Sequence, residues 1–128
     1  MVERLIASDG RDLDLWRTRA QGEPKGSVLL LHGIQSHAGW YGATRNALAE
    51  AGWEVGFLDR RGSGRQTEGR GDAPSWQQLV SDIGVALECL PNRPRVLGIS
   101  QAPMRTRLEF QTQAGVRAAG SPGSCGVW

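Results

Sequence analysis

The chain has 128 residues, 39% of them hydrophobic and 22% charged, with a net charge of +2. That suffices for one modest domain with its own core, is too short for two, and is not a disordered composition. The arginines are scattered without interleaved aromatics, so no nucleic-acid partner is expected.

Residues 3 to 18 read as a hairpin. RLIA and LDLWRTR flank Ser8-Asp9-Gly10-Arg11, and Asp-Gly favours a tight turn. Leu13, Leu15 and Arg17 alternate with Asp12, Asp14 and Trp16, as in a strand with two different faces. QGEPKG follows as a polar connection. VLLL, 28 to 31, is a continuous apolar run, as in a strand covered on both faces. It is the longest such run and cannot span a membrane, so no integral membrane segment is expected. The first residues show no basic region followed by an apolar run, and a soluble, cytoplasmic protein is the default expectation.

A loop from Ile34 to about Trp40 leads into a helix, ATRNALAEAG. Ala43, Ala47, Leu48 and Ala51 sit at helical spacing, and Gly52 is a stop signal. WEVGFLD is another buried strand. RRGSGRQTEGRGD, rich in Gly and Arg, is loop. Ser75 with Gln78 three residues later is a capping-box pattern. Leu79, Val80, Ile83, Leu87 and Leu90 form the apolar face of the helix that follows, and Pro91 and Pro94 end it. Cys89 reads as a small apolar residue of that helix. With Cys125 it makes neither a metal spacing nor a disulfide framework, so no metal site or other cofactor is expected. RVLGI is a third buried strand, running up to Ser100.

The order is thus hairpin, strand, helix, strand, helix, strand. Such alternation predicts an α/β fold, a parallel sheet with helices on both faces. Ligands of such sheets sit beyond the carboxyl ends of the strands. Those ends are marked here by His32-Gly33, by Asp59-Arg60-Arg61-Gly62 and by Ser100.

LLLHGIQSHAGWY, LDRRGSGRQTEGRG and VLGIS, in this order at three successive strand ends, resemble the N-terminal half of an α/β-hydrolase. The branch they resemble is that of monoacylglycerol lipases and lysophospholipases, also described as serine aminopeptidase-like. The resemblance covers about residues 3 to 100. It implies that Ser100 is a nucleophile on an elbow formed with Gly98 and Ala102, although Ala102 and Pro103 stand where the family often has glycines. It implies that the backbone amides of Ile34 and Gln101 hold the oxyanion, with His32 and Gly33 shaping the loop. It makes Asp59, Arg61, Gly62 and Gly64 a structural turn, with Gln66 where the family often has Ser. A phosphate loop is the weaker reading of that turn, because the Gly-Lys-Ser/Thr ending is missing.

A serine nucleophile needs a base, and the base needs an orienting acid. In this fold the order is Ser, then Asp or Glu, then His. His32 and His37 both precede Ser100, and only one carboxylate, Glu109, follows it. Acid and base are therefore missing from these residues, and little or no turnover is expected. The ancestral substrate implied is a carboxylic ester, such as a monoacylglycerol or lysophospholipid.

The resemblance also sets the Ser100 strand beside VLLL with nothing on its other side, so the sheet is incomplete at its C-terminal edge. After Ser100 the composition shifts to Arg, Gln, Ala, Gly and Ser. Residues 1–102 read as the partial hydrolase domain and 103–128 as an atypical, poorly ordered tail. Loss of the native frame or chain just after Ser100 explains the shift. The alternative is a non-catalytic interaction module, or a dimer completing its sheet by strand addition.

Overall fold

The computed structural model of the chain describes residues 1–33, 36–66, 69 and 72–99. Ile34, Ser100, Gln101, Ala102 and the tail lie outside the described residues.

The hairpin forms as its pattern requires. β1 (Val2–Ile6) and β2 (Asp12–Thr18) pair antiparallel, from Val2 opposite Trp16 to Ile6 opposite Asp12. Gly10 takes the left-handed conformation, φ 84°, that closes the turn. β3 (Gly26–Leu31), α1 (Gly42–Glu50), β4 (Trp53–Leu58), α2 (Trp76–Glu88) and β5 (Arg95–Gly98) follow. They build a five-stranded mixed sheet in the order β1-β2-β4-β3-β5. β3 is parallel to both β4 and β5, while β2 meets β4 antiparallel.

Period-two alternation divides the core between the two faces. Leu29 and Leu31 of β3 join Leu13, Leu15, Leu58 and the α2-side residues Ile83, Ala86 and Leu90. Val28 and Leu30 join Val55, Phe57 and Ala38 on the other face, where Tyr41 and Leu48 also pack. This two-sided burial is why VLLL is apolar throughout. Gly56 lets the end of α2 approach the sheet: a Cβ there would stand 2.9 Å from Leu90 Cδ1.

Three elements depart from expectation. A 3-10 turn, Ala38–Tyr41, occupies part of the anticipated loop, capped by His37. In α1 the buried residue is Ala49, while Ala43 and Ala47 are exposed. A run of alanines carries too little apolar contrast to mark a face. β5, read from its apolar run as buried, is exposed, Val96 at 39% and Leu97 at 49%. It is the edge of the described sheet, as the resemblance implied. At the end of α2, Cys89 packs half-buried against the core and is not a free thiol. Among the described residues, no helix is long and apolar enough to cross a membrane.

Candidate active site

Parallel pairing brings the strand ends together. Leu31 pairs with Leu58 on one side and with Gly98 on the other. His32-Gly33, Asp59-Arg60 and Gly98-Ile99 therefore leave the sheet side by side. The amide of Ile99 still donates to Leu31 O at 2.9 Å, so β5 keeps its register up to the residue before Ser100.

His32 is 1% exposed and stacks on Phe57, ring centres 6.3 Å apart. Its Nε2 accepts the Arg60 amide proton at 3.0 Å. A backbone N–H can only donate, so in the neutral ring the proton sits on Nδ1, which donates to Gly33 O at 2.8 Å. Burial lowers the His32 pKa from its ordinary value. The ring is held neutral as a clasp between the ends of β3 and β4. Neither nitrogen is free to take a proton from a serine.

Asp59 is equally buried. Its Oδ1 accepts from the Ala38 amide at 2.7 Å, and its Oδ2 accepts from Trp16 Nε1 at 2.9 Å. Gly64 must be glycine here: its φ is +62°, and a Cβ would fall 2.5 Å from Asp59 Oδ2.

Arg61 turns the other way, into the α2 face. Its Nε and Nη2 donate to the two Asp82 oxygens at 2.6 and 2.8 Å, and it also forks onto Asp9. Hydrogen bonding to Asp82 and then to Asp9 raises the Arg61 pKa. The same bond from Arg61 holds the Asp9 carboxyl at about 2. Gln78 adds bonds to Asp82 and Ser8, and Gln66 accepts the Gly62 amide proton at 3.1 Å. The side chains of Asp59, Arg61 and Gln66 are thus tied to the framework around them, a geometry suited to shape and not to proton transfer.

Of the sequence-derived candidates, His32, Gly33, Asp59, Arg61, Gly62, Gly64 and Gly98 gather at one end of the sheet. Ile34, Ser100, Gln101 and Ala102 lie outside the described residues. His37 caps the 3-10 turn, its Nδ1 accepting from Gly39 N–H at 3.1 Å, and its ring meets Trp40 at 4.9 Å. Among the described residues it makes no ion pair with a carboxylate. The sequence reading missed the partners Trp16, Ala38, Asp9 and Asp82. Only Asp82 left a signal: it is a carboxylate on the apolar stripe of α2, between Leu79 and Ala86.

This strand order, with a His-Gly loop and a tied Asp-x-Arg-Gly-x-Gly turn at neighbouring strand ends, is that of an α/β-hydrolase. The chain belongs to the serine aminopeptidase S33 family, whose pattern matches residues 22–98. It is 33% identical over 88 residues to the monoacylglycerol lipase of Mycolicibacterium smegmatis, covering 66% of this chain and 31% of that protein. It is 34% identical over 82 residues to an uncharacterized abhydrolase domain-containing protein of Dictyostelium discoideum, covering 64% of this chain and 9% of that one. A probable hydrolytic enzyme from Pseudomonas aeruginosa PAO1 has a similar structure, with a TM-score of 0.72 and 28% identity. That match covers 88% of this chain and 38% of the other. The chain thus spans less than a third of each curated relative's length.

Proposed function

We propose that the chain is the N-terminal part of a hydrolase of carboxylic esters of the monoacylglycerol class, with Ser100 in the nucleophile position. The observation that carries this reading is the convergence of His32-Gly33, Asp59-Arg60 and Gly98-Ile99 at one end of the parallel strands. The likeness to a monoacylglycerol lipase supports the substrate class.

In the ancestral reaction Ser100 Oγ attacks the ester carbonyl carbon, and the amides of Ile34 and Gln101 bind the oxygen that becomes negative. His32 and Gly33 shape that loop, Asp59, Arg61, Gly62 and Gly64 hold the turn, and Gly98 with Ala102 frees the elbow. No cofactor takes part. The Ser100 proton must pass to a base, and the only histidines are His32 and His37. Both nitrogens of His32 are engaged by backbone groups, and His37 has no orienting carboxylate among the described residues. The 128 residues as they stand therefore lack turnover. Residues 1–102 are the hydrolase portion, and the altered composition of 103–128 is foreign to it.

The test is to read the coding DNA beyond the Ser100 codon in all three frames and to express any continuation. The expected continuation carries further strands, an Asp and a late His. The joined chain hydrolyses a monoacylglycerol, and Ser100→Ala abolishes this. A confirmed frame without such a continuation, or a joined chain without ester turnover, overturns the reading.

The exposed Val96 and Leu97 on the edge strand favour a second reading, self-association by strand addition. It requires a concentration-dependent dimer in sedimentation that Leu97→Lys disperses. A monomer at all concentrations removes it.

A further inference from the structure

The segment between β3 and α1 is fastened at both ends to two consecutive residues of one turn. At its start, Gly33 O accepts from His32 Nδ1, and His32 Nε2 is held by the Arg60 amide. At its far end, the Ala38 amide donates to Asp59 Oδ1 at 2.7 Å. The His32 clasp follows from the loop role already given to that residue. The Asp59 bond is separate.

Asp59 is 1% exposed, and both of its oxygens are used. The second oxygen takes the Trp16 indole N–H, and the Arg45 guanidinium covers that indole, 4.9 Å from its ring centre. Gly64 makes room for the carboxylate in this position, since a Cβ there would fall 2.5 Å from Oδ2. The Asp59 amide is itself bonded to Asp14 O at 3.0 Å, fixing the backbone under the carboxylate. A buried carboxylate with two fixed donors gives short, charge-assisted bonds, stronger than neutral ones. The anchor is therefore rigid, and it grips the chain at the residue where the 3-10 turn begins.

We propose that Asp59 is a positioning residue for the oxyanion loop. By holding the Ala38 amide it sets where the far end of that loop stands relative to the end of β3. It touches no substrate and acts only through Ala38. The inference rests on the oxyanion-loop reading above, but it is read without substrate. A failure of ester turnover and a failure of the anchor are therefore separate results.

The experiment is amide hydrogen exchange by NMR on the full 128-residue chain, comparing wild type with Asp59→Asn and Leu90→Ala. Asparagine keeps the shape of Asp59 but has one acceptor oxygen, so it cannot serve both Ala38 and Trp16. In Asp59→Asn the Ala38, Gly39 and Trp40 amides should exchange about tenfold faster or more relative to the β1–β2 amides. The Trp16 indole N–H signal should move upfield as its charged acceptor is lost. Leu90→Ala, which weakens the core on the opposite face, should speed exchange throughout instead. Equal acceleration everywhere in both variants makes Asp59 a general staple and overturns the proposal. Should Asp59→Asn not fold, the wild type decides. An Ala38 amide that exchanges as fast as a solvated one overturns the proposal, and a protected one with a downfield proton supports it.

Discussion

Arg61 and Asp82 meet as a two-pronged pair in the interior, with side chains 1% and 3% exposed and Nε to Oδ2 at 2.6 Å. The pair joins the turn after β4 to the middle of α2. Removing one partner leaves a buried charge alone, which costs more than the pair is worth. Arg61→Ala should therefore destabilise the fold by about 3–5 kcal/mol. Arg61→Lys should recover little of that, because an ammonium cannot reproduce the fork. Urea unfolding of both variants checks this.

Asp9 is the outer partner of the same guanidinium. Its folded-state carboxyl lies at about 2 against an ordinary 3.8, chiefly through the Arg61 bond. A depressed folded value means that the unfolded chain binds the proton first as the pH falls. The Asp9 contribution is complete above 3.8 and disappears as the pH falls through about 2. The stability difference between wild type and Asp9→Asn should shrink across that window. Thermal melts at a series of acid pH values measure it.

His32 gives a second pH dependence, nearer neutrality. Burial depresses its pKa below 6.5 in the folded state, so the unfolded chain takes up the proton first. Its contribution is complete above 6.5 and is lost as the pH falls towards the folded value. Protonation at Nε2 would also set two donors, ring and Arg60 amide, against each other. The melting temperature should fall as the pH drops below 6.5, and His32→Gln should flatten that slope.

Two glycines separate strain from collision. Gly10 and Gly64 both have positive φ, but a Cβ at Gly10 meets nothing within 4 Å, while at Gly64 it strikes Asp59. Gly64→Ala should cost at least about 2 kcal/mol and shift the Trp16 indole signal. Gly10→Ala should cost about 1 kcal/mol, from backbone strain alone. Unfolding curves and one NMR spectrum of each decide.

The strands and α2 were legible because their signals are strong in one dimension. VLLL, the Leu13-Leu15 alternation and the Ser75 cap each state a local geometry, and each stands where it was expected. β5 also stands where its apolar run placed it, but its exposure could not be read from that run, which says nothing of whether a neighbour exists to cover it. α1 misled because alanines mark no face. At the site, His32 and Asp59 were visible as strand-end residues. Their partners were not: Trp16 is 43 positions from Asp59, and Asp9 is 52 from Arg61. Such pairings exist only after the sheet brings β2 beside β4.

On the function proposed above, the chain keeps the position of a serine nucleophile without the base that would make it work. Hydrolysis of a monoacylglycerol by the folded 128-residue chain, beside Ser100→Ala, tests it most directly. The two proteins should be indistinguishable, both at the rate of buffer. Turnover by the wild-type chain that Ser100→Ala removes would contradict it, and would show that these residues hold a base after all.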